Sequence, residues 1–249
     1  MRMPLVKRVV ISVDVEQDCP PFLDSMRGVE QGLPRLLAMF AAAGVSATFF
    51  STGRIAELYP ERIREICAGG HELGGHGYSH RRFDRMDDAE ARTELAKTRQ
   101  ALAPFDSKVI SFRAPNLQLP ARYVPLLGAH GFHIDSSLAA YKPPFARKTV
   151  VANGVTRVPV SVTSSVLRLP LPLVKAALGR VRDPVLFVHP WEFVDMSGTG
   201  IRLDCRFNTG EPALANLSAI IGWLKKTGYR FLTLSELASA QTTRGGSEG

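Results

Sequence analysis

An apolar run near the start of the chain ends in two acidic residues: Val9-Val10-Ile11-Ser12-Val13-Asp14-Val15-Glu16. A short run rich in β-branched residues predicts a buried strand, which we assign to Arg8–Asp14. Residues two apart in a strand point to the same side, so Asp14 and Glu16 can face one site while Val15 turns to the opposite face. The run therefore predicts a buried first strand with two carboxylates at its end.

Two histidines follow further along the chain, in Gly75-His76-Gly77-Tyr78-Ser79-His80. Their spacing places His76 and His80 on one face of a helix or of a tight helical turn. Imidazole nitrogens with one carboxylate oxygen suit zinc or a similar metal, and three protein ligands leave room for water. The pair alone is a weak signal, since two surface histidines in a glycine-rich loop show the same pattern. Together with a spare carboxylate to take a proton, it indicates metal-assisted hydrolysis.

Short apolar runs alternate with helical patterns, which predicts βα units around a parallel sheet. The further strands are predicted at Ala47–Phe50, Glu72–Gly74, Val109–Phe112, Phe132–Ile134, Val185–Val188 and Arg230–Leu234, and the helices at Val29–Ala43, Pro60–Ala68, from Asp87 or Asp88 to Leu102, Ala121–His130 and Pro212–Lys226. The least regular part, Ala139–Val181, is expected to be a β-rich excursion with a loop. No repeat or linker divides the chain, so we predict one domain over residues 1–240 and a disordered tail over 241–249.

Polar residues with catalytic potential lie where the predicted strands end. Asp14, Arg113, Asp135 and His189 each come at the end of an apolar run. In α/β barrels and open α/β sheets, functional groups gather at the carboxyl ends of parallel strands. Strands also commonly end in polar residues without any function, but the whole set together with the histidine pair predicts one site.

The length of 249 residues, 45% of them hydrophobic, suits one large α/β domain or two small ones. No apolar run is long enough for a transmembrane helix, and the first residues lack the apolar region of a signal peptide. The three cysteines, Cys19, Cys67 and Cys205, form no Cys-x-x-Cys motif. These features together favour a reduced, cytoplasmic protein.

The net charge of +8, with an isoelectric point of about 9.7, favours an anionic partner. No nucleic-acid motif accompanies the dispersed arginines, so nucleic acid is not an expected partner. The apolar, proline-interrupted segment Val166–Lys175 has flanking cations and could rest on an anionic membrane at its inner face. The alternative for this segment is a buried loop and helix start that pack under the barrel.

The chain resembles the NodB-homology polysaccharide deacetylases, carbohydrate esterase family four, from about Val9 to Leu237. The five family motifs have counterparts in order: Asp14-Val15-Glu16, His76-Gly77-Tyr78-Ser79-His80, Arg113-Ala114-Pro115, Asp135-Ser136-Ser137 and His189-Pro190-Trp191. The resemblance implies an α/β fold, a distorted (β/α) barrel with about seven strands. The usual first motif has two adjacent acids, whereas here Val15 separates them, as in an Asp-x-Asp branch with Glu16 as the second acid.

By this resemblance Glu16, His76 and His80 hold a divalent metal, Zn²⁺ in the first place and Co²⁺, Mn²⁺ or Ni²⁺ as alternatives. Asp14 is then the general base, although the roles of Asp14 and Glu16 can also be exchanged. The remaining roles implied are that Arg113 orients Asp14, His189 protonates the leaving amine, Asp135 keeps His189 protonated, and Pro115 and Trp191 contact the substrate. Trp191 can equally be ordinary barrel packing.

The resemblance implies a metal-dependent carbohydrate N-deacylase that removes an acetyl or formyl group from an amino sugar. Charge and the absence of an export signal favour a sugar on a lipid carrier or in a surface glycan pathway, with peripheral contact to an anionic membrane. The alternatives are a cyclic amide or ureide hydrolase and a non-catalytic carbohydrate-binding barrel. The complete histidine pair argues against both, whereas the Glu16 substitution leaves the second open.

Overall fold

Parallel strands and surrounding helices form an α/β barrel in the computed structural model, which describes residues 6–143, 145, 148–179 and 181–245. Over these residues the strands are β1 (Lys7–Val15), β2 (Thr48–Ser51), β3 (Glu72–Gly75), β4 (Ser111–Phe112), β5 (Ile134–Asp135), β6 (Val150–Ala152), β7 (Val155–Arg157), β8 (Val185–Val188) and β9 (Tyr229–Phe231). The α-helices are α1 (Leu33–Ala43), α2 (Gly53–Leu58), α3 (Pro60–Ala68), α4 (Asp88–Leu102), α5 (Val124–Ala129), α6 (Leu171–Leu178), α7 (Leu203–Arg206), α8 (Glu211–Lys226) and α9 (Leu234–Gly245).

The strand order is β6-β7-β5-β4-β3-β2-β1-β8, and β9 pairs with the first residues of β1. All pairs are parallel except the β6–β7 hairpin. Beyond β7, the Ser161 N–H donates to the Val185 carbonyl at 2.9 Å, which joins this segment to β8 at the other end of the sheet. The predicted distorted barrel is confirmed, and the carboxyl ends of its parallel strands lie at one mouth.

The described residues form two strands more than the approximately seven expected. The additional pair is the hairpin β6–β7, which lies within the irregular stretch 139–181. Val150 and Val151 are consecutive and both exposed, so β6 shows no alternation between apolar and polar positions. The hairpin is the β-rich excursion expected in this stretch, although the three residues of β6 show no pattern that locates the strand itself.

Strand β1 is buried on both faces, because helices cover its outer side and the barrel interior its inner side. Val9, Ile11 and Val13 pack in the main core with α1 and α8, whereas Val10 belongs to a separate cluster inside the barrel. The alternation turns Asp14 inward, as predicted for its position in the strand.

The predicted boundaries are confirmed at α3 and β8, whereas helix α2 was not predicted. It follows β2 directly, and its first turn is capped by Thr52, whose Oγ1 accepts from the Ile55 N–H at 3.2 Å. The helix predicted from Val29 begins instead with a wide helical turn over Gly28–Gly32 that leads into α1. Gly44 ends α1 in the left-handed conformation, as expected, with φ of 58°.

The end of the chain is more ordered than predicted. Helix α9 runs to Gly245, so residues 241–245 of the expected disordered tail are helical, and residues 246–249 lie outside the described part of the structure. Leu234, Leu237 and Ala238 of this helix are buried in the barrel cluster. This packing explains why the helix forms in spite of its polar last turns.

The segment Val166–Lys175 packs largely against α8 and the main core, so the buried alternative describes it better than a membrane-facing surface does. Leu167 and Val174 are buried, and the Asn216 side chain donates to the carbonyls of Leu167 and Leu169 at 2.6 and 2.7 Å. Leu173 is exposed, at 54%. Within the described ranges, no helix is both long enough and apolar enough to span a membrane.

A close backbone contact ties the start of α1 to the segment after β8. A Cβ built on Gly32 would lie 2.0 Å from the Pro190 carbonyl oxygen, which is backbone and cannot swing away. We therefore expect Gly32→Ala to lower the free energy of unfolding by about 1–3 kcal/mol. Gly222→Ala in α8 is the matched control, since its Cβ would meet nothing within 4 Å. That change should raise stability by about 0.5–1 kcal/mol. Urea titrations of both variants measure the difference, and equal midpoints would contradict this account.

Candidate active site

Polar side chains from separate strands meet at the carboxyl-end mouth of the barrel. Asp14 lies in β1 and Glu16 follows its end, while His76, Arg113 and His189 come directly after β3, β4 and β8. All five are buried except His189, which is partly buried. The structure therefore brings together these residues that the strand ends predicted, whereas Asp135, at the end of β5, contacts Arg157 and Ser137 instead.

Among the described residues, one group of three or more potential ligands can hold a metal: Glu16, His76 and His80, whose ligand atoms lie within 4.8 Å of one another. Oε2 of Glu16 lies 2.6 Å from Nε2 of His80 and 3.1 Å from Nε2 of His76. Nδ1 of His76 lies 2.8 Å from the Arg113 carbonyl, which can only accept a hydrogen bond.

This contact fixes the tautomer of the neutral His76 ring. The proton lies on Nδ1, so the lone pair of Nε2 points toward a carboxylate oxygen that also carries lone pairs. A cation between Nε2 of His76 and Oε2 of Glu16 would accept both lone pairs. Histidine ligands of metals usually donate their other ring N–H to a carbonyl or carboxylate, as His76 does to the Arg113 carbonyl. The donor set therefore fits a divalent metal of the zinc type.

The histidine pair lies in a loop after β3, not on the helical turn that its spacing suggested. His80 adopts a left-handed backbone with φ of 62°, which is costly for a non-glycine residue and must be supported by its surroundings. Glu94 of α4 holds this loop, because its carboxylate accepts from the N–H groups of Tyr78 and Ser79 at 2.8 and 3.0 Å. The ligand loop is thus fixed by the core helix behind it.

Charges in the cluster favour the ionised carboxylate. Burial opposes the charged form of Glu16, but the charges of His80 and His189 outweigh it and hold the pKa of this carboxyl well below its usual range. Burial likewise opposes protonation of His80, but Glu16 outweighs it and raises the His80 pKa. The site therefore holds an ionised Glu16 carboxylate surrounded by imidazole nitrogens.

Asp14 lies beside the cluster and is held by Arg113. Nη1 of Arg113 donates to Oδ1 of Asp14 at 2.6 Å, while its Nε and Nη2 donate to the carbonyl and hydroxyl of Ser136 at 3.2 and 3.0 Å. The guanidinium is fully buried and lies 4.3 Å from the centre of the Phe50 ring. One oxygen of Asp14 is thereby fixed, which leaves Oδ2 to act on a proton.

The carboxylate partner of His189 is Glu192, which sequence reasoning missed. Oε1 of Glu192 lies 2.6 Å from Nδ1 of His189 and accepts from the His189 N–H at 3.2 Å. The other oxygen, Oε2, forms an ion pair with Nε of the buried Arg168 at 3.2 Å. Burial disfavours the charged imidazole, but Glu16 and Glu192 outweigh it and raise the pKa of His189 to about 9. The ring is thus held as a proton donor.

The prediction that Asp135 holds His189 is wrong. Asp135 pairs across the β5–β7 register with Arg157, whose Nε donates to Oδ2 at 2.8 Å, and its Oδ1 accepts from the Ser137 N–H at 2.9 Å. Both oxygens are therefore satisfied within their own part of the sheet. Ser136, as described above, and Ser137 support the third motif instead, because the Ser137 hydroxyl accepts from the Ala114 N–H at 2.8 Å.

The two predicted substrate contacts, Pro115 and Trp191, are both buried near the mouth. The Trp191 ring stacks on His189 with centroids 5.0 Å apart and planes 20° apart. Its indole Nε1 is buried and has no hydrogen-bond partner among the described residues. Pro115 lies in the short turn after Arg113, beside Gly77 of the ligand loop.

Tyr141 is a further residue near the site that sequence reasoning missed. Its phenol is half-buried within electrostatic reach of Arg113 and Asp14, and burial raises its pKa to about 12. The backbone beside it is fixed because the Ala140 N–H donates to the Val160 carbonyl at 2.8 Å. The residue lies in the irregular stretch after β5, where no pattern predicted that it would reach the mouth.

Sequence comparisons relate part of the chain to known proteins. A family model described as polysaccharide deacetylase matches residues 7–134. The peptidoglycan deacetylase of Helicobacter pylori is 34% identical over 119 residues, which are 46% of this chain and 41% of that protein. The chitin deacetylase of Colletotrichum lindemuthianum is 31% identical over 112 residues, 42% of this chain and 45% of that protein. The chain thus matches less than half the length of these curated relatives.

Solved structures extend the likeness in fold to nearly the whole chain. A Mycobacterium smegmatis protein described as a polysaccharide deacetylase superposes with a TM-score of 0.77 at 22% identity, over 98% of this chain and 94% of that one. A CE4 family pseudoenzyme from Bacillus anthracis gives 0.65 at 20% identity, over 95% and 66%. With a family model that spans half of the sequence and this agreement in fold, the chain belongs to the polysaccharide deacetylase family.

Proposed function

We propose that this protein hydrolyses the N-acyl group of an amino sugar, with a divalent metal held by Glu16, His76 and His80. The observation that carries the proposal is that these two imidazole nitrogens and this carboxylate converge on one point. Beside them lie Asp14, which is paired with Arg113, and His189, which is paired with Glu192. When bound, the metal supplies a Lewis acid that polarises a carbonyl and makes water a stronger nucleophile at neutral pH. Zinc suits this mixed nitrogen and oxygen donor set, and cobalt, manganese and nickel are the alternatives.

Two proton transfers follow from Asp14 and His189, the residues beside the metal cluster. Oδ2 of Asp14 accepts the proton of the attacking water, since Oδ1 is engaged by Arg113. Nε2 of His189 delivers a proton to the leaving nitrogen, since Nδ1 is engaged by Glu192. An amine is a poor leaving group unless it is protonated, so amide hydrolysis needs this second transfer.

We further propose that the substrate is carried on an anionic lipid or belongs to a surface glycan. Phe22 and Leu203 support this, because they are 53% and 69% exposed on the loop after β1 and on α7, two segments that pack against the cluster around Trp191. With a net charge of +8, these apolar side chains suit a surface that touches an anionic membrane from its cytoplasmic side.

The test is the release of acetate or formate from N-acyl amino sugars, both as soluble oligomers and linked to a polyprenyl phosphate in vesicles. We expect release from both and a preference for the carrier-linked sugar of about tenfold, because Phe22 and Leu203 add apolar contact to the lipid. Phe22→Ser should reduce that preference severalfold, whereas Leu58→Ser, a similarly exposed side chain at the far end of α2, should not.

Equal rates on soluble and carrier-linked sugars, without binding to anionic vesicles, would rule out the lipid-carrier proposal alone. No acyl release from any N-acyl sugar by the metal-loaded protein would contradict the deacylase proposal. That second result, with intact sugar binding, would favour a non-catalytic carbohydrate-binding barrel.

A further inference from the structure

A buried arginine outside the five motifs connects the proton donor to the segment that carries α7. Arg168 ends the short helical turn Ser164–Arg168 and is 4% exposed. Its Nε forms an ion pair with Oε2 of Glu192 at 3.2 Å. The two Nη atoms donate to three backbone carbonyls around α7: Nη1 to Cys205 and Phe207 at 2.9 and 2.7 Å, and Nη2 to Asp204 at 2.6 Å. The guanidinium is therefore engaged on both sides.

The contacts of Glu192 depend on this arginine. Its Oε1 contacts Nδ1 and accepts from the backbone N–H of His189, and its Oε2 faces Arg168. The carboxylate is fully buried, and a buried charge must be paired. The three carbonyls around α7 are neutral, so the charge of Arg168 is directed to Glu192. With one oxygen on each partner, the carboxylate cannot turn away from His189 without breaking the ion pair.

Arg168 is itself held in place along its whole length. The Asn208 side chain donates to the Arg168 carbonyl at 3.0 Å, and the guanidinium lies 4.7 Å from the centre of the Phe207 ring. A lysine could not replace these contacts, because its single ammonium lacks the planar fork that reaches several carbonyls and a carboxylate at once. The arrangement thus requires an arginine and not merely a positive charge.

We propose that Arg168 is a positioning residue for the proton donor: through Glu192 it fixes the ring of His189 so that Nε2 faces the leaving nitrogen. The inference rests on the proposed deacylase function, since it assigns Arg168 a role in the second of the two proton transfers. Arg168 makes no contact with His189 of its own among the described contacts and acts on it through the carboxylate.

The first experiment measures the contact without catalysis, by proton NMR of the zinc-loaded full chain. The Nδ1–H of His189, which donates to Glu192 at 2.6 Å, should give a low-field signal that His189→Ala removes. We expect Arg168→Lys to move this signal to higher field or to lose it, because Glu192 is no longer held. Arg157→Lys is the matched control and should keep the signal, since Arg157 pairs with another fully buried carboxylate, that of Asp135.

The second experiment measures the consequence for the reaction. Arg168→Lys should lower kcat on an N-acetyl sugar by about tenfold with KM within about twofold, since the change affects the proton transfer and not binding. On 4-nitrophenyl acetate, whose leaving group departs without a proton, its rate should stay within about threefold of the wild type. Adding Arg168→Lys to Glu192→Gln should slow the amide reaction by less than about twofold more, because Arg168 acts through Glu192. Arg157→Lys should show no preference between the two substrates.

Three results would overturn the proposal: an unchanged low-field signal in Arg168→Lys, an equal loss of rate on amide and ester, or full additivity with Glu192→Gln. If Arg168→Lys does not fold, Asn208→Gly gives the same comparison, because it removes the bond to the Arg168 carbonyl and glycine suits the φ of 49°. It should slow the amide reaction severalfold more than the ester reaction, and equal effects would again contradict the proposal. No acyl release by the wild type would contradict the deacylase proposal and leave the NMR comparison intact, so the two failures are distinguishable.

Discussion

We expect Glu16→Ala and His76→Ala each to lose the bound metal and to release acyl groups at least about 100-fold more slowly than the wild type, since even the outer partners of metal ligands contribute 10–100-fold. Each change removes one of the three convergent ligand atoms, and two atoms are too few for a site that must hold a metal and leave room for water. Metal content by mass spectrometry and acyl release on the same samples provide the measurement. His133→Ala is the matched control, because His133 is exposed and lies outside the cluster.

The same experiment decides between the two acids of the first motif. In the structure Glu16 faces both histidine nitrogens, whereas Asp14 is engaged by Arg113. Asp14→Asn should therefore keep the metal and lose the activity, while Glu16→Ala should lose both. The opposite pattern would mean that the roles are exchanged. Metal retained in both Glu16→Ala and His76→Ala would show that the ligands lie elsewhere.

Much of this site could be predicted because its parts are set by local rules. The alternation of β1 decides that Asp14 faces the barrel interior while Val15 packs outward. The motifs after β3, β4 and β8 lie at strand ends, and parallel strands bring those ends to one mouth. No knowledge of loop conformation is needed for either step.

The prediction about the partner of His189 was wrong because side-chain contacts between strands depend on the strand order, which the order of the motifs in the sequence does not give. Asp135 lies in β5 and His189 follows β8, and the strand order places Arg157 of β7 against Asp135 instead. Glu192 is close to His189 because Pro190–Phe193 forms a tight helical turn. A signal for this was present, since an acid three residues after a polar residue that precedes such a turn is the pattern of a capping box.

The contrast between Asp135 and Glu192 leads to a prediction about the proton donor. His189→Ala should slow hydrolysis of an N-acetyl sugar by about 10²–10⁴-fold, the range for loss of a general acid. Glu192→Gln should slow it by about tenfold or more, because the imidazolium loses the carboxylate that favours it. Glu192 raises the His189 pKa, so its loss lowers that pKa and moves the alkaline limb of the kcat profile to lower pH.

An activated ester separates this role from a structural one. Nitrophenolate leaves without a proton, so 4-nitrophenyl acetate should be hydrolysed by Glu192→Gln at a rate within about threefold of the wild type. Asp135→Asn is the matched comparison, since it removes a buried carboxylate that holds Arg157 and no part of the proton donor. Its effect should be equal on amide and ester and should accompany a lower unfolding midpoint. If Asp135→Asn were selective for the amide and Glu192→Gln were not, the proton donor would depend on Asp135 after all. Asp135 and Glu192 are both fully buried and both paired with an arginine. A variant effect that is larger on the amide than on the ester, and is seen only for Glu192→Gln, would therefore come from the contact of Glu192 with Nδ1 of His189 and not from burial or charge alone.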